Sequence, residues 1–161
     1  MSLVASSKNL LLRYWNRPIM PPVASRYLGS PLHPIRPKIS HIYASRDRDT
    51  LWWRVSIAPL QSLKRVVRSW CGRRVRLAFR QALHQQGFDE LGRAIPSEFS
   101  PKEDLTGSLE ITIRTPCVQA SFETVQKDAN HLLENILAQQ ATRLSGANCQ
   151  PKETSKTSKT A

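Results

Sequence analysis

Thirty-nine consecutive residues, Thr50 to Phe88, carry eight Lys or Arg side chains and not one Asp or Glu. Six of the eight, Arg54, Lys64, Arg65, Arg68, Arg73 and Arg76, are candidates to neutralise phosphate. A guanidinium forks onto two phosphate oxygens, and an ammonium acts as a point charge. Ser56, Ser108 and Thr112 add hydroxyls that donate to phosphate oxygens or to the 2′-OH of RNA, with Arg114 as a further cation beside them. Trp15 and Trp52 are the indoles that can stack on a base or on a duplex end. The chemistry on offer is recognition of a polyanion.

Bond-making chemistry is poorly represented. His33, His41, His84 and His131 stand far apart, none beside a nucleophile, and no GxSxG, Walker loop, HExxH or GxGxxG occurs. No enzyme activity, cofactor or small-molecule substrate is therefore expected. Cys71, Cys117 and Cys149 are odd in number and widely spaced, so they form no zinc motif and read as free thiols in a reducing compartment.

The net charge of +12 over 161 residues is spread along the chain rather than confined to a tail. Nucleic acid is the first partner this implies and an anionic membrane surface the second, bound through a basic helix lying on lipid. No apolar run approaches the roughly eighteen residues of a membrane span. The first forty-six residues hold seven Lys or Arg and no acid, in the manner of a mitochondrial presequence. Residues 3–15 are the part that could form its amphipathic helix. Against that reading, six of the eleven prolines fall between Pro18 and Pro37.

The elements that would position these residues follow from periodicity. Residues 1–49 read as a basic, Pro-rich and largely irregular arm. Residues 51–57 favour a strand, with Trp53, Val55 and Ile57 on one face and Trp52, Arg54 and Ser56 on the other. A helix follows from Pro59, with Leu60, Leu63, Val67, Trp70, Cys71, Ala78 and Ala82 as its apolar side and Gly87 as C-cap. Arg74 falls on the apolar side, and Gly72 allows a bend. A weak strand signal lies near residues 93–99. Residues 108–114 form the clearest strand, with Leu109, Ile111 and Ile113 inward and Ser108, Glu110, Thr112 and Arg114 outward. Thr115 and Pro116 start a second helix, whose stripe of Val118, Phe122, Val125, Ala129, Leu132, Leu133, Ile136 and Leu137 can pack on a sheet or on a second copy. A polar tail, 144–161, reads as disordered. The expected fold is α+β. A small sheet of about three to four strands carries the basic helix and the C-terminal amphipathic helix in one domain, 50–143, and is continued across a homodimer.

Ser62, Leu63, Arg65, Val66, Ser69, Trp70, Gly72 and Val75, followed by Gly87, Phe88, Asp89 and Gly92, match the central pattern of a known family. The segment resembles the small RNA-silencing suppressors of tombusviruses and aureusviruses. Ile111, Thr112 and Ile113 resemble that family's Ile-Thr-Val strand, and residues 131–136 its Leu-Leu-containing final helix. The resemblance covers roughly residues 50–140. It implies a plant-virus homodimer that binds double-stranded RNA, siRNA duplexes included, without reading sequence, and withholds it from the host silencing machinery. It implies residence in the host cytoplasm or nucleus. It further implies that Leu132, Leu133 and Ile136 serve core and dimer interface. Tombusvirus members stack two N-terminal tryptophans three residues apart on the duplex ends. This chain lacks that pair, so the resemblance implies binding independent of duplex length. Glu90 and Glu110 also put negative charge where the family is neutral.

Overall fold

The alternation of Leu109, Ile111 and Ile113 with polar neighbours does produce a strand, and that strand is the centre of the molecule. The computed structural model describes residues 2–95 and 104–147. In chain order these residues form β1 (Ser2–Ser6), β2 (Leu10–Trp15), α1 (Pro22–Gly29), α2 (Arg36–Ala44), β3 (Leu51–Ser56), α3 (Arg65–Gln85), β4 (Gly107–Ile113) and α4 (Phe122–Ala147). The fold is α+β: a mixed four-stranded sheet in the order β1-β2-β4-β3, with four helices. Both β1–β2 and β2–β4 are antiparallel. β3 runs parallel to β4, which requires a long crossover, here α3.

The N-terminal arm is not largely irregular. Leu3 and Ala5 on β1 and Leu10, Leu12 and Tyr14 on β2 alternate with outward residues and are buried, so residues 2–15 form a hairpin inside the sheet rather than an amphipathic helix. The Ser6–Asn9 turn is fixed by the Ser7 hydroxyl, which accepts from the Leu10 N–H at 3.0 Å and donates to Asp128 at 3.1 Å. Asn9 Nδ2 donates to the same carboxylate at 2.7 Å, tying the turn to α4. The folded domain therefore begins at the hairpin, not at residue 50.

α3 and α4 lie side by side against one face of the sheet, α4 beneath β1 and β2 and α3 beneath β3 and β4. Val75, Ala78, Phe79, Ala82 and Leu83 of α3 and Val125, Leu132, Leu133 and Ile136 of α4 meet Leu12, Leu109, Ile111 and Ile113 in one core. Burying each large aliphatic side chain contributes about 1.5–3 kcal/mol. Pro59 does not open α3. Residues Ala58–Leu60 make a 3-10 turn and the α-helix starts after Lys64. Gly72 introduces no break. At the other end Gly87 has φ 79°, its N–H donates to the His84 carbonyl, and the Phe88 N–H donates to Leu83 O at 2.9 Å. Those two bonds are a Schellman C-cap and place Phe88 in the core.

Thr115 and Pro116 likewise open a 3-10 turn, Thr115–Val118, and α4 is capped instead by Ser121, whose Oγ accepts from the Thr124 N–H at 3.2 Å. α4 runs to Ala147, so the first residues assigned to the tail are helical, and the tail from residue 148 lies outside the described residues. Of the weak strand near 93–99, Ala94 makes an isolated bridge to Phe88, and the rest lies outside the described residues. Among the described residues, no helix is long and apolar enough to cross a membrane.

Candidate nucleic-acid interface

Register dictates what the other face of the sheet presents. Three cross-strand rows run over β1, β2, β4 and β3: Ser2–Trp15–Ser108–Trp52, Val4–Arg13–Glu110–Arg54, and Ser6–Leu11–Thr112–Ser56. The sheet thus gathers Ser56, Ser108, Thr112, Arg54, Trp15 and Trp52, six of the residues singled out in the sequence, onto one surface. It adds Arg13 and Ser6, which the helical reading of residues 3–15 had hidden. Part of the signal was there: two short apolar runs, residues 3–5 and 10–12, flank Ser6-Ser7-Lys8-Asn9, a turn composition.

The three rows are not equally open. The segment after β2 crosses the first row, where the Ile19 N–H donates to Ser108 Oγ at 2.6 Å and buries it. Trp52 is engaged from the same side. Arg46 stacks over its ring at 4.4 Å, Tyr43 of α2 packs at 5.8 Å, and its Nε1 donates to the Asp47 carbonyl. The second and third rows stay accessible: Val4, Arg13 and Ser6 are exposed, Leu11, Thr112 and Ser56 half-buried. Arg54 pairs with Glu110 at 2.7 Å, so this carboxylate is neutralised by its strand neighbour. Arg114 donates to the Ser7 carbonyl at 2.8 Å and braces the hairpin turn.

α3 does not flank this face. Its apolar side lies beneath the sheet's core face, on the opposite side from the hydroxyls. A cradle walled by the helix and floored by Ser108 and Thr112 is therefore absent. The helix reaches the sheet's margin only at its N-terminal half. There Arg68, Ser69, Gly72, Arg73 and Arg76 line a groove of about 410 Å³ with Ile57, the residue that follows β3. Arg68, Arg73 and Arg76 have no ion-pair partner among the described residues, and Arg68 Nε is buried there without an acceptor. Lys64 and Arg65 are exposed at the helix start, where no acidic residue offsets the positive end of the helix dipole. Cations there cost about 0.3–1 kcal/mol each, which a bound anion relieves.

Two further expectations are corrected. Trp70 is not core: it is 43% exposed, with the Arg74 guanidinium 4.2 Å above its ring. Arg74 spans from there to the Ala120 carbonyl at 2.8 Å, which explains a cation on the apolar side of α3. Leu132, Leu133 and Ile136 are fully buried within the protomer and leave nothing for a partner. Trp53 faces inward against Phe79, with ring centroids 5.0 Å apart.

No protein-family model, curated protein or solved structure matches this chain. The reading of the site therefore rests on its own geometry. Among the described residues, no cluster of His, Cys, Asp or Glu could hold a metal ion.

Proposed function

We propose that the chain binds double-stranded RNA through the sugar–phosphate backbone and, by holding short duplexes, suppresses RNA silencing. The observation that carries this reading is the composition of the uncovered part of the sheet: hydroxyls of Ser6, Thr112 and Ser56 beside a row in which Arg13 and Arg54 flank Glu110, leaving a net positive charge. Its content of hydroxyl and guanidinium donors suits a helix read by shape and 2′-OH contacts rather than by base edges. The basic groove of α3 adds cations at the β3 margin of the same sheet. The resemblance of residues 62–92 to tombusvirus-type suppressors supplies the biological setting, a viral protein acting in the host cytoplasm or nucleus.

The homodimer belongs to the same proposal in altered form. With Leu132, Leu133 and Ile136 consumed by the core, a second copy pairs along an edge strand. β3, an edge whose outward row carries Arg54 and Ser56, would extend the polar surface. The rival reading as an imported mitochondrial protein requires loss of residues 1–45. Those residues supply Leu3, Leu10, Leu12 and Tyr14 to the core and two of the four strands.

The test is an electrophoretic shift of the full chain with an siRNA duplex, single-stranded RNA and a DNA duplex of equal length. Preference for duplex RNA, and a steep loss of affinity between about 50 and 200 mM salt, are expected. Equal binding of all three would refute RNA-duplex recognition. The mass of the complex should correspond to two chains per duplex.

A further inference from the structure

The covered end of the open face holds a cavity of about 190 Å³. Trp15 and Trp52 line it from β2 and β3, two strands apart on either side of Ser108 in one cross-strand row. Neighbouring strands lie about 4.8 Å apart, so the two backbones stand roughly 9.6 Å from each other. A cavity of that volume lined by both indoles has room for one planar group, which occupies roughly 3.4 Å when stacked. Ile19 and Met20 close the cavity from the connection that crosses the sheet.

The electrostatics narrow the ligand. Glu110 borders the cavity, but Arg54 already neutralises it at 2.7 Å, so no free carboxylate favours a cationic guest. The charge at the rim that no carboxylate pairs with among the described residues is positive: Arg46, whose guanidinium lies 4.4 Å over the Trp52 ring. An apolar aromatic slot with a cation at its mouth suits a flat neutral ring attached to an anion. The cavity is smaller than the about 300–1,000 Å³ of sites for drug-sized ligands, so it takes one ring system and not a base pair.

We propose that this cavity receives a single unpaired nucleobase at the end of an RNA strand, stacked between Trp15 and Trp52, with its phosphate held by Arg46. The inference rests on the duplex-RNA reading and specifies the end structure preferred. It differs from stacking on a blunt terminal pair, because the guest must leave the duplex plane and enter the fold.

The test uses the full chain and RNA duplexes carrying 2-aminopurine either as one unpaired 3′ nucleotide or in the paired interior, beside a blunt control. The overhanging duplex should bind about tenfold tighter than the blunt one, or ~1.4 kcal/mol, within the range for a base stacked on an aromatic ring. Fluorescence of the unpaired 2-aminopurine should fall on binding, and that of the paired one should not. In Trp15→Ala and Trp52→Ala the ratio of overhanging to blunt affinity should fall to about one. Met20→Trp, which fills the cavity from its rim without altering a strand, should do the same and stands in should either alanine variant fail to fold. Equal affinity for both duplexes, unchanged fluorescence, or a preference that survives these substitutions would overturn the cavity assignment while duplex binding stood. Failure to bind any duplex would overturn both.

Discussion

At the scale of single residues, the site is governed by which charges are already spoken for. Arg54 is bound to Glu110 across one strand step; the pair is part-buried, Arg54 36% and Glu110 15% exposed, and its net contribution to stability is on the order of 1 kcal/mol. Glu110→Gln should therefore fold normally and release a guanidinium toward phosphate. The expected result is tighter binding of an RNA duplex and a salt dependence steeper by about one charge in a plot of log affinity against log salt. The buried thiols behave in the opposite sense. Cys117 is pushed up to about 11 by desolvation and by its neighbour Cys71, which burial also raises. Both should resist alkylation at pH 8 in the native chain and react once denatured. Between about pH 9 and 11 the folded chain keeps the Cys117 proton that an unfolded chain has lost. Stability should then fall with rising pH over that window, by at most ~1.4 kcal/mol per unit for this group, as urea midpoints at pH 8.5 and 10.5 would show.

At the scale of elements, Gly72 can be replaced and Gly107 cannot. A Cβ on Gly72 would meet Arg76 Nη1 at 3.5 Å and Ile57 Cγ2 at 3.7 Å, ordinary contacts inside an unbroken helix. Gly72→Ala should raise stability by about 0.5–1 kcal/mol. Gly107 has φ 104° and its Cβ would lie 2.3 Å from the Trp15 carbonyl oxygen, so Gly107→Ala should destabilise by about 1–3 kcal/mol or more, since β2 must shift away from β4. Thermal melts of both variants would decide. The contrast also shows what a sequence exposes. β4, the apolar stripe of α4 and the Gly87 cap were legible because local periodicity and cap chemistry fix them. The β1–β2 hairpin was not, because Leu10-Leu11-Leu12 satisfies a helical and an alternating pattern equally, and only pairing with residues 108–113 resolves the tie. The side on which α3 docks was equally invisible. Its arginines are on its polar side as read, but which face of the sheet that helix covers depends on the crossover between β3 and β4.

At the scale of the whole molecule, the sheet is shared between distant parts of the chain, so it should fail as a unit. Deleting residues 1–16 removes β1 and β2 and exposes one edge of β4 along with the apolar flank of α4. Loss of a cooperative thermal transition is expected by circular dichroism, and a truncated chain that melted like the full one would contradict the core described here. The pairing of Leu10 with Ile113 also has a consequence for synthesis. More than a hundred codons separate the two partners. At about 5–20 residues per second, a nascent hairpin with Leu3, Leu10 and Leu12 waits several seconds outside the ribosome before its companion strand emerges. Production of this protein is therefore sensitive to translation speed and to chaperone supply during those seconds, and slowing elongation late in the message should increase the aggregated fraction.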